Sequence, residues 1–177
     1  MDEAETDAAV SAMRAVAHPV RLQMLSLLTG TEMSAAEVAR ELDLTHANAS
    51  YHLRVLLDAD EIVVAGEEKI RGGVAKRYRY PLERGGDHRK DPATLDDQVF
   101  YARAVALEVE RRIQLRPRST PNVSSDLEGW VDPETWDRAR ALMQEAAMML
   151  HAANRAPRTP GTVHVSATSW AFQMEQP

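Results

Sequence analysis

Residues 34–57 read SAAEVARELDLTHANASYHLRVLL, and their pattern predicts two short helices joined by a tight turn. The first helix opens on a capping box, in which the Ser34 hydroxyl accepts the Glu37 amide and the Glu37 carboxylate reaches back. Asp43 ends the apolar run, and Thr45 suits the N-cap of the second helix. In the second helix, three apolar residues recur at i, i+4 and i+7 and should be buried: Ala49, Leu53 and Leu56.

The opposite face of the second helix carries no carboxylate before Asp58, although the chain has a net charge of −6. An ordinary solvated face in so acidic a chain would include Glu or Asp. A helix that enters the major groove of DNA excludes them, because phosphates lie along both walls. The pattern therefore predicts a helix-turn-helix motif, and the residues expected to contact DNA are Thr45, His46, Ala47, Asn48, Ser50, Tyr51 and Arg54.

A β-hairpin is predicted directly after this helix. Residues 61–66 and 74–80 have β-like composition and flank the turn-prone sequence EEKIRGG. Residues 69–90 hold eight basic and two acidic residues, a net charge of +6. A charged edge hairpin would also explain this pattern, but after a helix-turn-helix we favour contact with the DNA backbone. A hairpin in this position is the wing of a winged helix. The wing residues expected to contact the DNA backbone are Lys69, Arg71, Lys76, Arg77 and Arg79.

At this point the chain resembles the ArsR/SmtB family of winged-helix repressors. The resemblance covers roughly residues 10–82 and rests on three stretches: MRAVAHPVRLQMLSLL (13–28), AAEVARELDLTHANASYHLRVLLDADEIV (35–63) and RGGVAKRYRYP (71–81). It implies a dimer with a three-helix core, a wing and an additional helix at each end. The chain departs from the family in two ways. Asp60-Glu61 stands where Gly-Leu is usual, and the cysteines through which the founding members sense metals are absent.

A long helix is predicted after a polar linker at residues 84–90. Asp91 would be its N-cap, Pro92 its first residue, and Asp96 and Asp97 would lie near the positive end of its dipole. Its apolar residues are spaced 4-3-4-3-4, as in a coiled-coil seam; burial against its own domain is the alternative. A weak first helix at 4–16 contributes two further residues, Val10 and Met13. The predicted dimerisation residues are therefore Val10, Met13, Leu95, Val99, Ala102, Ala106, Val109 and Ile113.

The remainder of the chain is interpreted as a small α/β unit. A helix should start at Asp132-Pro133 and run to about Asn154. Short strands are expected near 123–131 and from Val163 to Met174, paired with each other. The aromatic and methionine side chains of this unit would form either a core or a pocket for a partly apolar organic effector. The predicted pocket residues are Trp136, Met143, Trp170 and Phe172.

Several kinds of site are not expected. A chain without cysteine has no disulfide and no thiolate metal site. His151 and His164 lack a nearby carboxylate constellation, so no metal and no cofactor are predicted. No catalytic motif is present, so the protein is not expected to be an enzyme. No apolar run approaches a membrane span and the acidic N-terminus is unlike a signal peptide, which favours a cytoplasmic protein.

The predicted fold is α+β and mainly α, in two parts. Residues 1–90 form a winged helix-turn-helix domain, and residues 91–177 form a dimerisation helix and a C-terminal effector or assembly unit. Two functions remain open. The first is a dimeric, sequence-specific DNA-binding regulator, expected to be a repressor, that responds to a small molecule. The second is a winged helix that serves as a protein-interaction module.

Overall fold

A computed structural model describes residues 12–82 and 94–175 of the chain. The predictions for Val10 and for the linker at 84–90 lie outside the described residues. Helix α1 is described at 12–16, and α2 (Pro19–Gly30), α3 (Ala35–Glu41) and α4 (His46–Asp58) follow it. Helices α3 and α4 form the predicted helix-turn-helix motif, with a turn in which Asp43 has a φ of 52°.

Local capping explains where these helices begin. The His18 ring accepts the Val20 amide at the start of α2 (3.2 Å). Both bonds of the predicted capping box are present, because Ser34 accepts from the Glu37 amide (3.4 Å) and donates its own amide to the Glu37 carboxylate (2.7 Å). The Thr45 hydroxyl accepts the Asn48 amide (3.2 Å) at the start of α4. Each bond satisfies an amide that the first helical turn leaves without a partner.

The predicted hairpin is confirmed as strands β2 (Val63–Ile70) and β3 (Gly73–Arg79), which pair antiparallel with a bulge between Val64 and Gly66. A two-residue strand β1 (Met33–Ser34) adds to the other side of β3, so the sheet order is β1-β3-β2. Strand β1 was not predicted, because two residues cannot display an alternating pattern. It ties the start of α3 to the wing.

One apolar core lies between α2, α3, α4 and the base of the wing. The three predicted residues of α4 are completely buried, and His52 is buried beside them. Asp60 has a φ of 58°, in the left-handed region. Asp is one of the few residues other than glycine that adopt this conformation. The main core residues are Val16, Met24, Leu28, Met33, Val38, Ala49, Leu53, Leu56 and Ile62.

Helix α5 (Leu95–Gln114) begins at the N-cap Thr94 rather than at the predicted Asp91, whose surroundings lie outside the described residues. The threonine hydroxyl accepts the Asp97 amide (3.2 Å), which is the bond that an N-cap provides. The buried residues of α5 are Asp97, Ala104 and Glu108, all on one face, which packs toward α1 and α2. At 100° per residue, the predicted seam lies on the opposite face.

The predicted α/β organisation of the C-terminal part is wrong, because only its helix is present. Helix α6 (Pro133–Ala153) begins at the predicted N-cap Asp132, whose carboxylate accepts the Thr135 amide at 2.9 Å. Residues 123–131 and 163–174 form no strand. An isolated strand pair is marginal in water without a further layer to cover it, and these segments are exposed along their length. The described fold is therefore α-helical with one small antiparallel sheet.

Candidate nucleic-acid interface

The outward face of α4 is the first component of the site. Of the predicted contacts, Ser50 is half-buried and the others are exposed: Thr45, His46, Ala47, Asn48, Tyr51 and Arg54. Tyr51 remains 57% exposed although its ring meets the His52 ring edge-on at 5.2 Å. The buried residues of α4 all lie on the other side, so the helix is held by its apolar face and presents hydroxyl, amide and guanidinium groups outward. Such groups suit base edges and phosphate oxygens.

Arg54 belongs to α4, the recognition helix predicted to enter the major groove, and acts electrostatically on the wing. Burial raises the pKa of the Tyr78 phenol on β3, and the nearby Arg54 cation opposes that rise. The two side chains are therefore electrostatic neighbours, although Arg54 itself is exposed.

The wing offers cations near its tip. Lys69 and Arg71 are exposed where β2 turns into β3, and Lys76 is exposed on β3. The tip turn is possible because Gly72 and Gly73 have φ values of 104° and 158°. Glu67 lies directly across the strands from Lys76, so the acidic residues of β2 reduce the positive charge that the 69–90 window suggests. The tip is the part of the wing suited to phosphate contact.

Arg77 has a different environment from the other wing cations. Its guanidinium lies 3.0 Å from the Glu37 carboxylate of α3 and 2.9 Å from that of Glu68, and it donates to the Glu32 carbonyl at 2.5 Å. Burial alone would raise the pKa of Glu37, but the hydrogen bonds from Ser34 and the nearby Arg77 outweigh it and lower that pKa. The geometry makes Arg77 a link between wing and motif rather than an outward cation. Arg79 is half-buried.

On its buried side, α4 meets the start of α2 through a pair of histidines, His52 of α4 and the N-cap His18 of α2. The His18 and His52 rings lie 4.8 Å apart, and the buried His52 Nδ1 has no hydrogen-bond partner. Burial lowers the pKa of both rings, and the positive charge of Arg21 lowers them further. Arg21 donates to the carbonyls of Ala15 and Arg14 and so holds the end of α1 against α2.

Two polar clamps attach α5 to the DNA-binding domain. The Arg14 guanidinium pairs with the buried Asp97 carboxylate at 2.9 Å, and Gln23 donates to the buried Glu108 carboxylate at 2.6 Å. Hydrogen bonds from Thr94 and Arg14 lower the pKa of Asp97. The sequence gives no local signal of these pairs, because their members are separated by more than eighty residues.

The predicted dimer seam is largely open in the chain. Leu95, Val99 and Ile113 are 75%, 39% and 63% exposed, Ala106 is exposed, and Ala102 and Val109 are half-buried. Met13 on α1 is half-buried. The alternative, in which the seam packs on its own domain, is contradicted by these exposures. The buried polar face points inward and the apolar face points to solvent.

The four residues predicted for an effector pocket do not line one cavity. Trp170 contacts Tyr101 of α5 and Phe172, with ring centroids 5.7 and 6.4 Å apart. Trp136 and Met143 lie on α6, which has no buried residue. The interpretation of this region as a core is therefore wrong for the single chain. A depression of about 540 Å³ lies elsewhere on α6, lined by Ala141, Gln144, Glu145, Met148, Met149 and Ala152.

Within residues 12–82 and 94–175, no three His, Asp or Glu side chains gather in a metal-binding arrangement. None of the described helices combines the length and apolarity that a membrane crossing requires.

Comparison with known proteins identifies the class of the central motif. Residues 16–62 match the family model of a helix-turn-helix domain. The match runs from the end of α1 through α4 to the residue before β2, and so covers the recognition helix and the core beneath it. No curated protein matches the chain. The chain thus contains a helix-turn-helix domain followed by a wing, which indicates a DNA-binding regulator.

Proposed function

We propose that this protein is a cytoplasmic, dimeric repressor of the ArsR/SmtB type that binds a specific operator. The observation that carries the proposal is the exposed, acid-free face of α4, which includes Tyr51 and Arg54 and is followed in the chain by a hairpin with an exposed cationic tip. In this arrangement α4 enters the major groove, Arg54 reads a base edge, and Lys69, Arg71 and Lys76 contact phosphate. Arg77 acts by holding the wing against α3.

Dimerisation through α5 would give the geometry that a palindromic operator needs. The exposed seam can pair with itself about a two-fold axis, since residues repeating at 4-3-4-3-4 interdigitate between antiparallel or parallel helices. The Arg14–Asp97 and Gln23–Glu108 clamps support this function because they fix α5 to the DNA-binding domain. Two recognition helices would then lie about 34 Å apart, one turn of DNA.

The proposed signal is an organic, partly apolar molecule rather than a metal ion. The chain has no thiolate, and aromatic and thioether side chains suit such a ligand. Trp136, Met143, Trp170 and Phe172 stay the proposed contacts, assembled around the α5–α6 region only when two chains meet. An effector that releases DNA must, by reciprocity, bind more weakly to the DNA-bound form.

The second candidate is a winged helix that binds another protein. An interaction module needs no particular charge on its recognition face, whereas the present face excludes carboxylates in an acidic chain. We therefore favour DNA as the partner and propose no enzymatic activity.

Selection of genomic fragments tests the proposal. The purified full chain is incubated with sheared genomic DNA at physiological salt, and the retained fragments are sequenced. We expect enrichment of a few inverted repeats by the native protein, loss of that enrichment with Arg54→Ala, and no loss with the control Arg140→Ala on α6. Retention of fragments without any common sequence would contradict a specific regulator and favour the interaction module.

A further inference from the structure

The C-terminal part of the chain exposes two apolar surfaces that do not cover each other. The first is the α6 groove, the depression defined above by Ala141, Gln144, Glu145, Met148, Met149 and Ala152. Met148 and Met149 are 64% and 65% exposed. The second is the C-terminal tail, residues 162–175, whose residues are all exposed. Extended apolar surfaces of this kind are rare on soluble monomers and mark contact sites.

The tail has the chemistry that the groove requires. Residues 162–174 contain no Asp, Glu, Lys or Arg, so the segment can enter an apolar depression without burying a full charge. In an extended chain, Phe172 and Met174, which are 65% and 62% exposed, point to one side at a spacing of about 6.6 Å. Side chains at i and i+4 on a helix are about 6 Å apart along its axis, which matches the rows of the groove. Aromatic rings also contact methionine sulfur favourably.

The tail packs on α5, and none of its residues lines the α6 groove of its own chain. Trp170 packs on Tyr101 of α5 (5.7 Å between ring centroids) and Phe172 packs on Trp170. Tyr101 immediately precedes Ala102, a residue of the exposed α5 seam. In a dimer built on this seam, a tail fixed at Tyr101 lies next to the second chain. Thr162, the first residue of the tail, hydrogen-bonds to the Thr159 carbonyl, a local contact that leaves the following residues in place on the surface.

We infer that the tail of each chain seats in the α6 groove of the other chain, so that the dimer is closed by reciprocal exchange of its C-terminal tails. The inference rests on the proposed α5 dimer and adds a second contact to it. A second copy is the occupant because one chain supplies one tail and one groove, and a two-fold axis fills both at once. Each buried aromatic side chain contributes about 150–250 Å², a substantial part of the roughly 800 Å² per partner that a stable interface needs.

Cross-linking between single-cysteine variants tests the exchange, because the native chain has no cysteine to interfere. Met174→Cys on the tail and Met148→Cys in the groove are co-expressed with two different affinity tags and purified through both. A short bis-maleimide should join the two chains into a covalent dimer. The matched control pairs Met174→Cys with Arg140→Cys, which lies on another side of α6, and we expect at least a roughly tenfold lower yield. All substituted residues are exposed, so folding should be retained.

Sedimentation of the same proteins separates the two levels of the proposal. A dimer that cross-links through Met148→Cys supports the exchange. A dimer without cross-linking above the control overturns the exchange and leaves the α5 interface intact. A monomer at micromolar concentration contradicts both the dimer and the exchange.

Discussion

Arg77 of the wing lies 3.0 Å from the carboxylate of Glu37, the residue that closes the capping box of α3. One carboxylate therefore serves the helix start, through Ser34, and the hairpin, through Arg77. Because α3 packs against α4, the link sets the position of the wing relative to the recognition helix. The wing and α4, which are the two elements proposed to touch DNA, are therefore connected through α3. The wing is held to α3 by this ion pair and by strand β1.

Removal of Glu37 should destabilise the domain more than its partial exposure suggests. Glu37→Ala deletes both the box and the partner of Arg77, and we expect the free energy of unfolding to fall by about 1–2 kcal/mol. Urea denaturation followed by far-ultraviolet circular dichroism measures the change, because all three tryptophans lie outside this domain. The control Glu68→Ala removes the other carboxylate at Arg77, which is an exposed pair worth about 0.5 kcal/mol or less. Equal effects of the two variants would show that the box contributes nothing.

The contact between His18 and His52 should make the free energy of unfolding depend on pH. Burial lowers the pKa values of His18 and His52 below the ordinary value of 6.5. The unfolded chain therefore binds more protons than the folded chain once the pH falls toward and below 6.5. The contribution of the two neutral rings to the free energy of unfolding is fully present above pH 6.5. It is lost as the pH falls through the folded pKa values of His18 and His52.

Thermal unfolding at pH 8, 7, 6 and 5.5 checks this sign. We expect a nearly constant melting temperature from pH 8 to 7 and a decrease below 6.5. The decrease should be smaller in His52→Leu, which removes the buried titrating ring. A melting temperature that rises on acidification to pH 5.5 would contradict the proposed burial of neutral histidines.

The exposed seam of α5 is tested by placing a charge at its centre. In Ala106→Glu, two like charges would face each other across the two-fold axis, so monomers are expected in sedimentation velocity. Leu107→Glu is the matched control, because the same charge then lies about 100° away around the helix and should leave the dimer intact. Dimeric Ala106→Glu protein would show that chains do not meet along this seam.

The loop after α6 docks on the end of α2, and Gly30 reports on that contact. Asn154 donates to the Ser26 carbonyl at 3.1 Å, and a methyl group on Gly30 would stand 2.7 Å from the Arg155 carbonyl oxygen. Glycine to alanine in an open helical position stabilises by about 0.5–1 kcal/mol. We expect Gly30→Ala to be destabilising instead, because the loop backbone must move. Urea denaturation gives the sign directly, and a stabilised variant would refute the docked loop.

The helix-turn-helix motif could be predicted because its signals are local. Capping residues, an apolar stripe on α4 and a turn at Asp43 all lie within 24 consecutive residues, and each specifies its own element. The hairpin could be predicted equally well, because glycines mark its turn. Contacts between residues far apart in the sequence could not be predicted. Nothing near Arg77 in the sequence indicates that it pairs with Glu37 rather than with phosphate.

The C-terminal part misled the prediction for a physical reason. Alternating apolar residues from Val163 to Met174 favour a strand only when a second strand accepts their hydrogen bonds, and the chain offers none among its described residues. The same residues have no regular secondary structure and are exposed. The apolar pattern indicated a surface suited to burial, but it could not indicate whether that surface packs within the chain.

Specific DNA binding is the central claim, and fluorescence anisotropy tests it most directly. A labelled duplex from the region upstream of the gene is titrated with the full chain at physiological salt, beside a shuffled duplex of equal length. We expect the upstream duplex to bind about a thousandfold or more tightly, with affinity falling steeply as salt rises and Arg54→Ala costing about 1–3 kcal/mol. Equal affinity of the native protein for the two duplexes would contradict the claim.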